Sequence, residues 1–358
     1  MRTGLTLAAA GCAAVLLLLE IVLRLLPVST ATMTGYYLDP DVLTYPPGHT
    51  WTTSTGWDLR NAQRLRANNW GFVSEHDFVP DPRAVALIGD SYVEAGMLPA
   101  ADRPGARLQS LLGGGRPVCA LGSPGTALID HAQRLRLAFD RLQVRDVVIW
   151  LERGDARQSL CGSGNVHSRC LDPQSLAPRV ERLPPPSALK RWARHSALAQ
   201  YALGQLKFQP PVLWRALFTR VTPEEPPAQA GVMAAPTPGT LAPRARAMID
   251  AVVDRFFIDA SPYLQGRLLF VVDGRRSGPV AVPTSDDLER AHLMAQLRAR
   301  GADVIDLEPV YAQHVASSRR SLEVGPYDAH LNELGVQLVM DQVARWLDGG
   351  PSAEAVPK

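Results

Sequence analysis

One serine and one aspartate–histidine pair are the residues of this sequence best suited to chemistry. Ser91 lies in the segment Gly-Asp-Ser-Tyr at 89–92, directly after a run of apolar residues. Asp328 and His330 lie near the other end of the chain, one residue apart. A serine hydroxyl is a poor nucleophile unless a base takes its proton, and a carboxylate can hold that base in the required tautomer. These three side chains therefore predict nucleophilic catalysis, provided that the fold brings them together.

The rest of the sequence predicts the elements that must position these residues. Continuous apolar runs predict buried strands at 84–88, 118–121, 146–151, 268–272 and 304–307. Helical spacing predicts helices at 100–112, 127–142, 242–257, 286–300 and 332–347, the last two with Ser285 and Asn332 as N-caps. Strands that alternate with helices are typical of a parallel sheet with crossover helices. The expected fold class is therefore α/β with a doubly wound parallel sheet, and Ser91 follows its first strand, at the sheet edge where ligands bind.

An apolar segment at the N-terminus predicts where the rest of the chain resides. Positions 5–26 are apolar except for Glu20 and Arg24, and Arg2 precedes them. A helix needs about 20 such residues to cross a bilayer, so residues 1–27 are expected to be a membrane anchor. The alternatives are a signal sequence cleaved near the small residues at 29–31, which would leave a secreted protein, and an amphipathic helix of a cytosolic protein. Few positive charges follow, so the bulk of the chain is expected on the extracytoplasmic (periplasmic) side of the inner membrane.

The remaining sequence divides into a juxtamembrane segment, a domain and a tail. Residues 28–80 show no sustained period, 81–348 are expected to form the α/β domain, and 349–358 to be a C-terminal tail. Proline clusters interrupt the alternation between 156 and 240, which predicts a Pro-rich, partly helical insertion with a helix at 187–208. Basic residues outnumber acidic ones over 176–220, which fits either a basic lid for an anionic partner or a solvated helical face.

Cysteines, histidines and net charge limit the other functions. Cys161 and Cys170 lie in a Gly/Ser-rich loop and would form a disulfide in an oxidising compartment, or stay free thiols otherwise. The histidines at 167, 195, 292 and 314 lack the paired spacing of a helical metal site, so neither a metal nor a cofactor is expected. The formal net charge is only +2, which gives no support for a nucleic-acid partner.

The order of Ser91, Asp328 and His330 within this fold class resembles the SGNH, or GDSL-like, hydrolase superfamily. The resemblance covers roughly 84–155 and 265–348. It implies a flavodoxin-like sheet and an acyl ester cleaved through a Ser-His-Asp triad. It also implies an oxyanion hole formed by the backbone N–H groups of Ser91 and Gly125.

Two further segments are similar to membrane-anchored members of that superfamily. One is Asn-x-x-Gly-Phe at 68–72, and the other is the end of the apolar segment from Glu20 to Arg24. The spacing Asp-x-His at 328–330, in place of the commoner Asp-x-x-His, resembles alginate O-acetyltransferase-type proteins and related exopolysaccharide acetylation factors. The resemblance therefore implies an ester of a carbohydrate as substrate.

One departure from the superfamily pattern concerns the oxyanion hole. The third block usually reads Gly-x-Asn-Asp, with the asparagine as a donor, whereas Gly154 stands at that position here. Loss of one such donor costs about 3 kcal/mol of transition-state stabilisation. Asn165 or Arg153 could replace the donor, and the sequence does not choose between them.

Two functions follow from these residues. The first is an exported serine esterase or O-acyltransferase that acts on a small or carbohydrate acyl ester. The alternative is a catalytically degenerate binding or assembly factor of an envelope polysaccharide system, which Gly154 at the asparagine position favours. The intact Ser91, Asp328 and His330 favour the enzyme. The sequence names no protein partner.

Overall fold

The structure is a computed structural model that describes residues 2–30, 33–206, 240–276 and 282–349. The chain forms two units. The first comprises Met1–Ala31, Trp51–Arg64 and Pro185–Pro238, and the second comprises Thr32–Thr50, Leu65–Pro184 and Gly239–Lys358. The predicted division at 27, 80 and 348 stays a prediction, and the predicted tail lies, but for its first residue, outside the described residues.

The strands belong to one large sheet and three small ones. They are β1 Gly35–Asp39, β2 Val42–Thr44, β3 Thr50–Thr55, β4 Arg60–Arg66, β5 Val85–Gly89, β6 Val118–Gly122, β7 Asp146–Leu151, β8 Arg169–Leu171, β9 Pro178–Val180, β10 Leu268–Val272 and β11 Asp303–Asp306. The large sheet has the order β11-β10-β7-β5-β6, and all its neighbours are parallel. Counted along the chain, this is the flavodoxin-like order 2-1-3-4-5, whose strand order reverses between β5 and β7.

Helices cover both faces of this sheet. The helices are α1 Arg2–Leu25, α2 Ser91–Glu94, α3 Pro104–Leu111, α4 Leu128–Leu142, α5 Asp155–Gln158, α6 Ala188–Ala193, α7 Ala197–Gln200, α8 Pro243–Ala260, α9 Ser285–Ala299, α10 Glu308–Ser317 and α11 Glu333–Leu347. Residues of β5 alternate between two apolar cores: Ala86 and Ile88 pack with α4, α8 and α9, while Val85 and Leu87 pack with α3 and α11. Since side chains alternate along a strand, these fully buried strands read as continuous apolar runs, and the predicted fold class is confirmed.

The first unit contains the apolar N-terminal helix. Residues Thr3–Leu25 of α1 are long and apolar enough to span a membrane or to serve as a signal sequence. Near the end of α1, Glu20 accepts hydrogen bonds from Nε of Arg24 at 2.7 Å and from the Ser196 hydroxyl at 2.8 Å. The backbone N–H groups of Ala197 and Leu198 also donate to Glu20, so this carboxylate lies at the start of α7.

Several predicted element boundaries were wrong. The helix predicted at 187–208 is divided into α6, α7 and a π-helical turn at Tyr201–Gln205, because Ser196 caps a new helix by accepting from the N–H of Ala199; residues 207–239 of the predicted insertion lie outside the described residues. The N-cap of α9 is Thr284 rather than Ser285. Strands β1 to β4 lie in the segment without a sustained period, and α10 was not predicted.

Candidate active site

The candidate site lies at the carboxyl edge of the large sheet. Ser91 is the first residue of α2, directly after β5, and β5 is the strand beside the point where the strand order reverses. In doubly wound sheets this crevice is the usual ligand site. The predicted position of Ser91 at the end of the first strand therefore agrees with the topology.

The turn before Ser91 depends on two glycines and one aspartate. A Cβ atom on Gly89 would lie 2.5 Å from Cγ2 of Val93, and one on Gly122 would lie 2.4 Å from the backbone nitrogen of Glu94. Only glycine therefore fits at these two strand ends. Asp90 is the N-cap of α2 and accepts a hydrogen bond from the N–H of Tyr92 at 2.8 Å. Together they let α2 lie close against the ends of β5 and β6, with Ser91 at its start.

A loop closed on itself positions the aspartate and the histidine. The backbone N–H of Val324 donates to the carbonyl of His330 at 2.9 Å, and that of Gly325 donates to the carbonyl of Asp328 at 2.7 Å. Asn332 caps α11, as predicted from the sequence, by accepting from the N–H of Gly335 at 3.0 Å. The loop is thus tied at both ends to regular structure.

Ser91, His330 and Asp328 form one hydrogen-bonded series, which we name the carboxyl-edge series. Nε2 of His330 lies 2.8 Å from Oγ of Ser91, and Nδ1 lies 2.5 Å from Oδ1 of Asp328. A proton on Nδ1 would be donated to Asp328, which leaves Nε2 to accept the Ser91 hydroxyl proton. The His330 side chain remains 31% exposed, so a reactant can reach it. The arrangement can move a proton from the hydroxyl to the ring.

The charges of this series stabilise one another. Burial lowers the pKa of His330, but the hydrogen bond and charge of Asp328 outweigh it, so this pKa is raised above its ordinary value of 6.5. Burial raises the pKa of Asp328, but the hydrogen bonds from His330 outweigh it, so this pKa is lowered. The aspartate therefore stays ionised and favours the protonated ring that forms when the base accepts a proton.

Two backbone N–H groups are available to an oxyanion. Among the described residues, the N–H groups of Ser91 and Gly125 donate to no other residue. Gly125 has φ of +71°, a left-handed conformation that glycine adopts without strain. The N–H of Gly154, at the usual asparagine position, donates to the Glu152 carboxylate at 2.6 Å. Position 154 therefore offers neither a side-chain donor nor a free backbone N–H.

The two residues considered as replacement donors differ in their surroundings. The Asn165 amide donates to Oε1 of Gln158 at 2.8 Å. Arg153 donates to Asp287 at 2.9 Å, but its buried Nε has no partner among the described residues. Arg153 also lines the cavity beside Tyr92, whereas Asn165 does not. Arg153 is therefore the better placed of the two.

Sequence reasoning did not identify a buried arginine beneath the nucleophile. The Arg134 guanidinium donates to the carbonyl of Gly89 and to Oγ1 of Thr126, both at 2.7 Å, and so joins the loops after β5 and β6. Burial lowers its pKa to about 10. Burial also raises the pKa values of the nearby Asp90 and Asp155 carboxyls. No local pattern marked Arg134, because Asp130 and His131, one turn earlier on α4, are polar as well.

A second arginine, Arg276, connects the segments that contain Ser91 and His330. It donates to the Tyr92 hydroxyl at 2.7 Å and to the carbonyl of Ala329. Its guanidinium also lies over the Tyr92 ring at 5.3 Å, and that ring packs against His330 at 5.2 Å between centroids. Tyr92 and Ala329, the sequence neighbours of Ser91 and His330, line a cavity of about 760 Å³.

The predicted cysteine pair forms a disulfide between Cys161 and Cys170. With Glu181, these sulfurs are the one His/Cys/Asp/Glu group in the described part of the chain with the spacing of metal ligands. Because the sulfurs are bonded to each other, they are not available as thiolate ligands. Cys161–Cys170 thus holds a loop and leaves no thiolate pair for a metal.

Two residues of this loop and one of α4 form a second Ser-His-Asp series, which we name the loop series. Nε2 of His167 lies 3.1 Å from Oγ of Ser163, and Nδ1 lies 3.1 Å from Oδ2 of Asp130. His167 and Asp130 are both buried. Sequence reasoning assesses His167 only as a metal ligand, because Asp130 is far from it along the chain and Ser163 is a residue type that is common in loops.

Comparisons with known proteins give a low similarity. No family model matches the chain, and no curated protein matches it. Among solved structures, LAE5, an α/β hydrolase from the metagenome of Lake Arreo, is 11% identical with a TM-score of 0.40, covering 75% of this chain and 96% of that one. Est24, a carbohydrate acetylesterase from Sinorhizobium meliloti, is 11% identical with a TM-score of 0.36, covering 75% and 99%. The acetyl xylan esterase AlAXEase is 13% identical with a TM-score of 0.38, covering 74% and 98%. At these values the similarity carries no argument about activity, which must come from the site itself.

Proposed function

We propose that this protein is a membrane-tethered serine ester hydrolase or O-acyltransferase. The observation that carries the proposal is the carboxyl-edge series, in which the hydroxyl of Ser91 lies 2.8 Å from Nε2 of His330. Two side chains separated by most of the chain meet there at hydrogen-bond distance, at the sheet edge where ligands bind. This geometry is what general-base activation of a serine requires.

The proposed reaction has two steps. Oγ of Ser91 attacks the acyl carbonyl while His330 takes the hydroxyl proton, and the ring then gives this proton to the leaving alcohol. The acyl group is left on Ser91. In the second step, His330 takes a proton from water or from a sugar hydroxyl, whose oxygen attacks the acyl-enzyme; the acyl–Oγ bond breaks and His330 returns the proton to Oγ of Ser91. Water as acceptor gives an esterase, and a sugar hydroxyl gives a transferase.

The free N–H groups of Ser91 and Gly125 support a two-donor oxyanion hole in this proposal. Each can donate to the carbonyl oxygen as it gains charge. The glycine at 154 leaves the site without the side-chain donor of the superfamily pattern, and a single such donor contributes about 3 kcal/mol. We therefore expect turnover to be slow relative to an enzyme with three donors.

We propose that the catalytic domain is exported and held at the inner membrane. The apolar helix Thr3–Leu25 supports an anchor, and the Cys161–Cys170 disulfide supports an oxidising compartment such as the periplasm. Cleavage of the helix as a signal sequence would instead give a secreted enzyme. The proposed substrate is an acylated carbohydrate or a small ester, with no nucleic-acid partner.

The second candidate is a degenerate binding or assembly factor of an envelope polysaccharide system. It is favoured by Gly154, whose N–H is engaged by Glu152 at 2.6 Å and is not free for an oxyanion. The enzyme remains the better candidate because the nucleophile, the base and its aspartate are all present and in contact.

Covalent labelling separates these two candidates. The full chain in detergent, and a Ser91→Ala variant of it, are incubated with a fluorophosphonate probe and assayed on an aryl acetate. The proposal expects label and acetate release from the parent and neither from the variant, because the probe reacts only with an activated serine. Absence of both from a folded parent protein would favour the binding factor.

A further inference from the structure

The cavity beside the carboxyl-edge series is lined by an excess of positive charge. Its charged lining residues are five arginines and three acids. The arginines are Arg153, Arg275, Arg276, Arg319 and Arg320. The acids are Glu152, Asp273 and Glu323. A concave surface with one dominant sign of charge attracts a ligand of the opposite sign.

The acids of the cavity already have partners. Asp273 accepts from Arg276 at 2.9 Å, and Glu323 lies 3.5 Å from the same guanidinium. Glu152 accepts from the Gln158 amide at 2.8 Å as well as from a backbone N–H. Two of the three acids are thus paired with Arg276, and among the described residues none of the three is paired with Arg319 or Arg320.

Two arginines of the rim have no partner. Arg319 and Arg320 follow α10 and are exposed, and in the part of the chain that the structure describes neither side chain has an ion-pair or hydrogen-bond partner. Neither guanidinium therefore has a role within the described fold. Both are free to bind an anion that enters the cavity.

Two arginines of the cavity wall each contain a buried Nε. Nε of Arg276 and Nε of Arg153 have no hydrogen-bond partner among the described residues, and the Arg276 side chain is only 10% exposed. Because both Nε atoms are closed to solvent, an anion in the cavity would be bound by the exposed guanidinium groups at the rim. A guanidinium matches the planar carboxylate and the phosphate group particularly well.

We propose that this cavity is an anion subsite, which binds a carboxylate or a phosphate group, and that the acyl ester acted on by Ser91 belongs to an anionic carbohydrate. The statement that the substrate is an ester rests on the proposed function, whereas the anion subsite is inferred from the arginines. Because Arg276 contacts both Tyr92 and Ala329, an anion bound near it lies beside the nucleophile and the base. The subsite would orient the sugar so that its acyl group reaches Ser91.

The kinetic test uses three acetylated glycosides that differ at one carbon. They are methyl 2-O-acetyl-glucoside, the corresponding glucuronide, and the corresponding glucoside 6-phosphate. We expect kcat/KM for at least one of the two anions to exceed that for the neutral sugar by about tenfold or more, the size of one charge-assisted hydrogen bond. The preferred anion tells a carboxylate from a phosphate. We also expect the preference to fall as NaCl is raised from about 20 mM to about 500 mM.

The Arg319→Gln/Arg320→Gln variant should reduce this preference. Its matched control is Arg141→Gln/Arg145→Gln, which removes two exposed arginines without side-chain partners in the described chain, next to the opposite end of β7. We expect the ratio of anionic to neutral kcat/KM to fall about tenfold in the first variant and to stay unchanged in the control. An unchanged ratio in both, or no anion preference in the parent, overturns the inference.

A binding measurement keeps this inference separate from the proposed function. The Ser91→Ala protein is titrated calorimetrically with the acetylated glucuronide, the 6-phosphate and the neutral glucoside, none of which it should cleave. Tighter binding of an anion, lost on adding Arg319→Gln/Arg320→Gln, supports the subsite even if the parent shows no esterase activity. Equal binding of all three sugars contradicts the subsite even if the parent is an active esterase.

Discussion

The carboxyl-edge series and the loop series contain the same three residue types in the same order of hydrogen bonds. In the first, the distances from histidine to serine and to aspartate are 2.8 and 2.5 Å, and in the second both are 3.1 Å. Hydrogen bonding alone therefore does not distinguish a site that can turn over from one that holds a loop. The difference must lie in what surrounds each series.

Access and available donors separate the two. The imidazole of His330 is 31% exposed beside a cavity, whereas that of His167 is fully buried. The N–H of Ser91 is free for an oxyanion, whereas that of Ser163 donates to the carbonyl of Leu160 at 3.2 Å. The N–H of Ser163 is therefore not available to stabilise an oxyanion, and His167, the base of this series, is closed to solvent.

The loop series also serves a different purpose. Besides His167, Asp130 accepts from the N–H of Ser168 at 3.0 Å and from the N–H of Ala127 at 3.2 Å. The Ser163 hydroxyl donates its proton to the carbonyl of Gln158 at 2.9 Å. These bonds hold the disulfide loop against α4. Buried polar groups with their hydrogen bonds satisfied stabilise one conformation rather than a reaction.

The largest difference is expected between His330→Ala and His167→Ala. Loss of the base should lower kcat on an aryl acetate by up to about 10⁶-fold while the protein stays folded. His167→Ala should instead lower the free energy of unfolding by roughly 1–3 kcal/mol, because the buried Asp130 carboxylate loses a donor. Its kcat per folded molecule should match the parent. Equal loss of activity in both variants while they stay folded would contradict the distinction between the two series.

The sequence predicted those parts of the molecule that repeat a pattern. The five strands of the large sheet are mostly buried, so each contains a continuous apolar run, and Asn332 marked the start of α11 by the chemistry of its side chain. Of the small strands, β2 is buried but only three residues long, while β1, β3 and β4 are partly exposed, and so they had no such signal. The helix 187–208 was predicted as one element because Ser196 is tolerated within helices as well as at their caps.

For the site, sequence pattern identified the residues but not their surroundings. Ser91, Asp328 and His330 stood out because they follow a strand or precede a helix in characteristic segments. Arg134 and Arg276 act through contacts with partners far along the chain, such as Gly89 and Tyr92, and no local pattern marks such contacts. The same holds for the loop series, whose aspartate lies on a helix and whose histidine lies in a loop.

The pH dependence of activity should report His330 and not His167. The base must be neutral to accept the serine proton. The pKa of His330 is raised above 6.5 because the hydrogen bond and charge of Asp328 outweigh the opposing effect of burial. We expect kcat/KM on a neutral ester to rise about tenfold per pH unit on the acid side and to level off above that raised pKa. The contribution of the same ion pair to stability has the opposite pH dependence: it is full below pH 6.5 and is lost as the pH rises through the raised pKa. His167→Ala should leave the activity profile where it is; a shift in that variant would connect the two series.

The smallest expected effect concerns the buried Asp90, whose charge is one cause of the raised pKa of His330. Asp90→Asn keeps an acceptor for the N–H of Tyr92 but removes that charge, so the acid limb of kcat/KM should move to lower pH by less than about one unit. Burial raises the pKa of Asp90 above its ordinary 3.8. Its contribution to stability is therefore full below 3.8 and is lost as pH rises through the raised pKa, so the variant should gain stability over the parent near pH 7.

Both readouts are needed to interpret Asp90→Asn, with chemical denaturation at several pH values beside the kinetic profile. If the acid limb moves, the carboxyl-edge series differs from the loop series in the charges that tune its base as well as in access. If stability changes as expected while the acid limb stays in place, Asp90 acts on the fold alone. The distinction between the two series would then rest on the exposure of His330 and on the free N–H of Ser91, which no charge substitution removes.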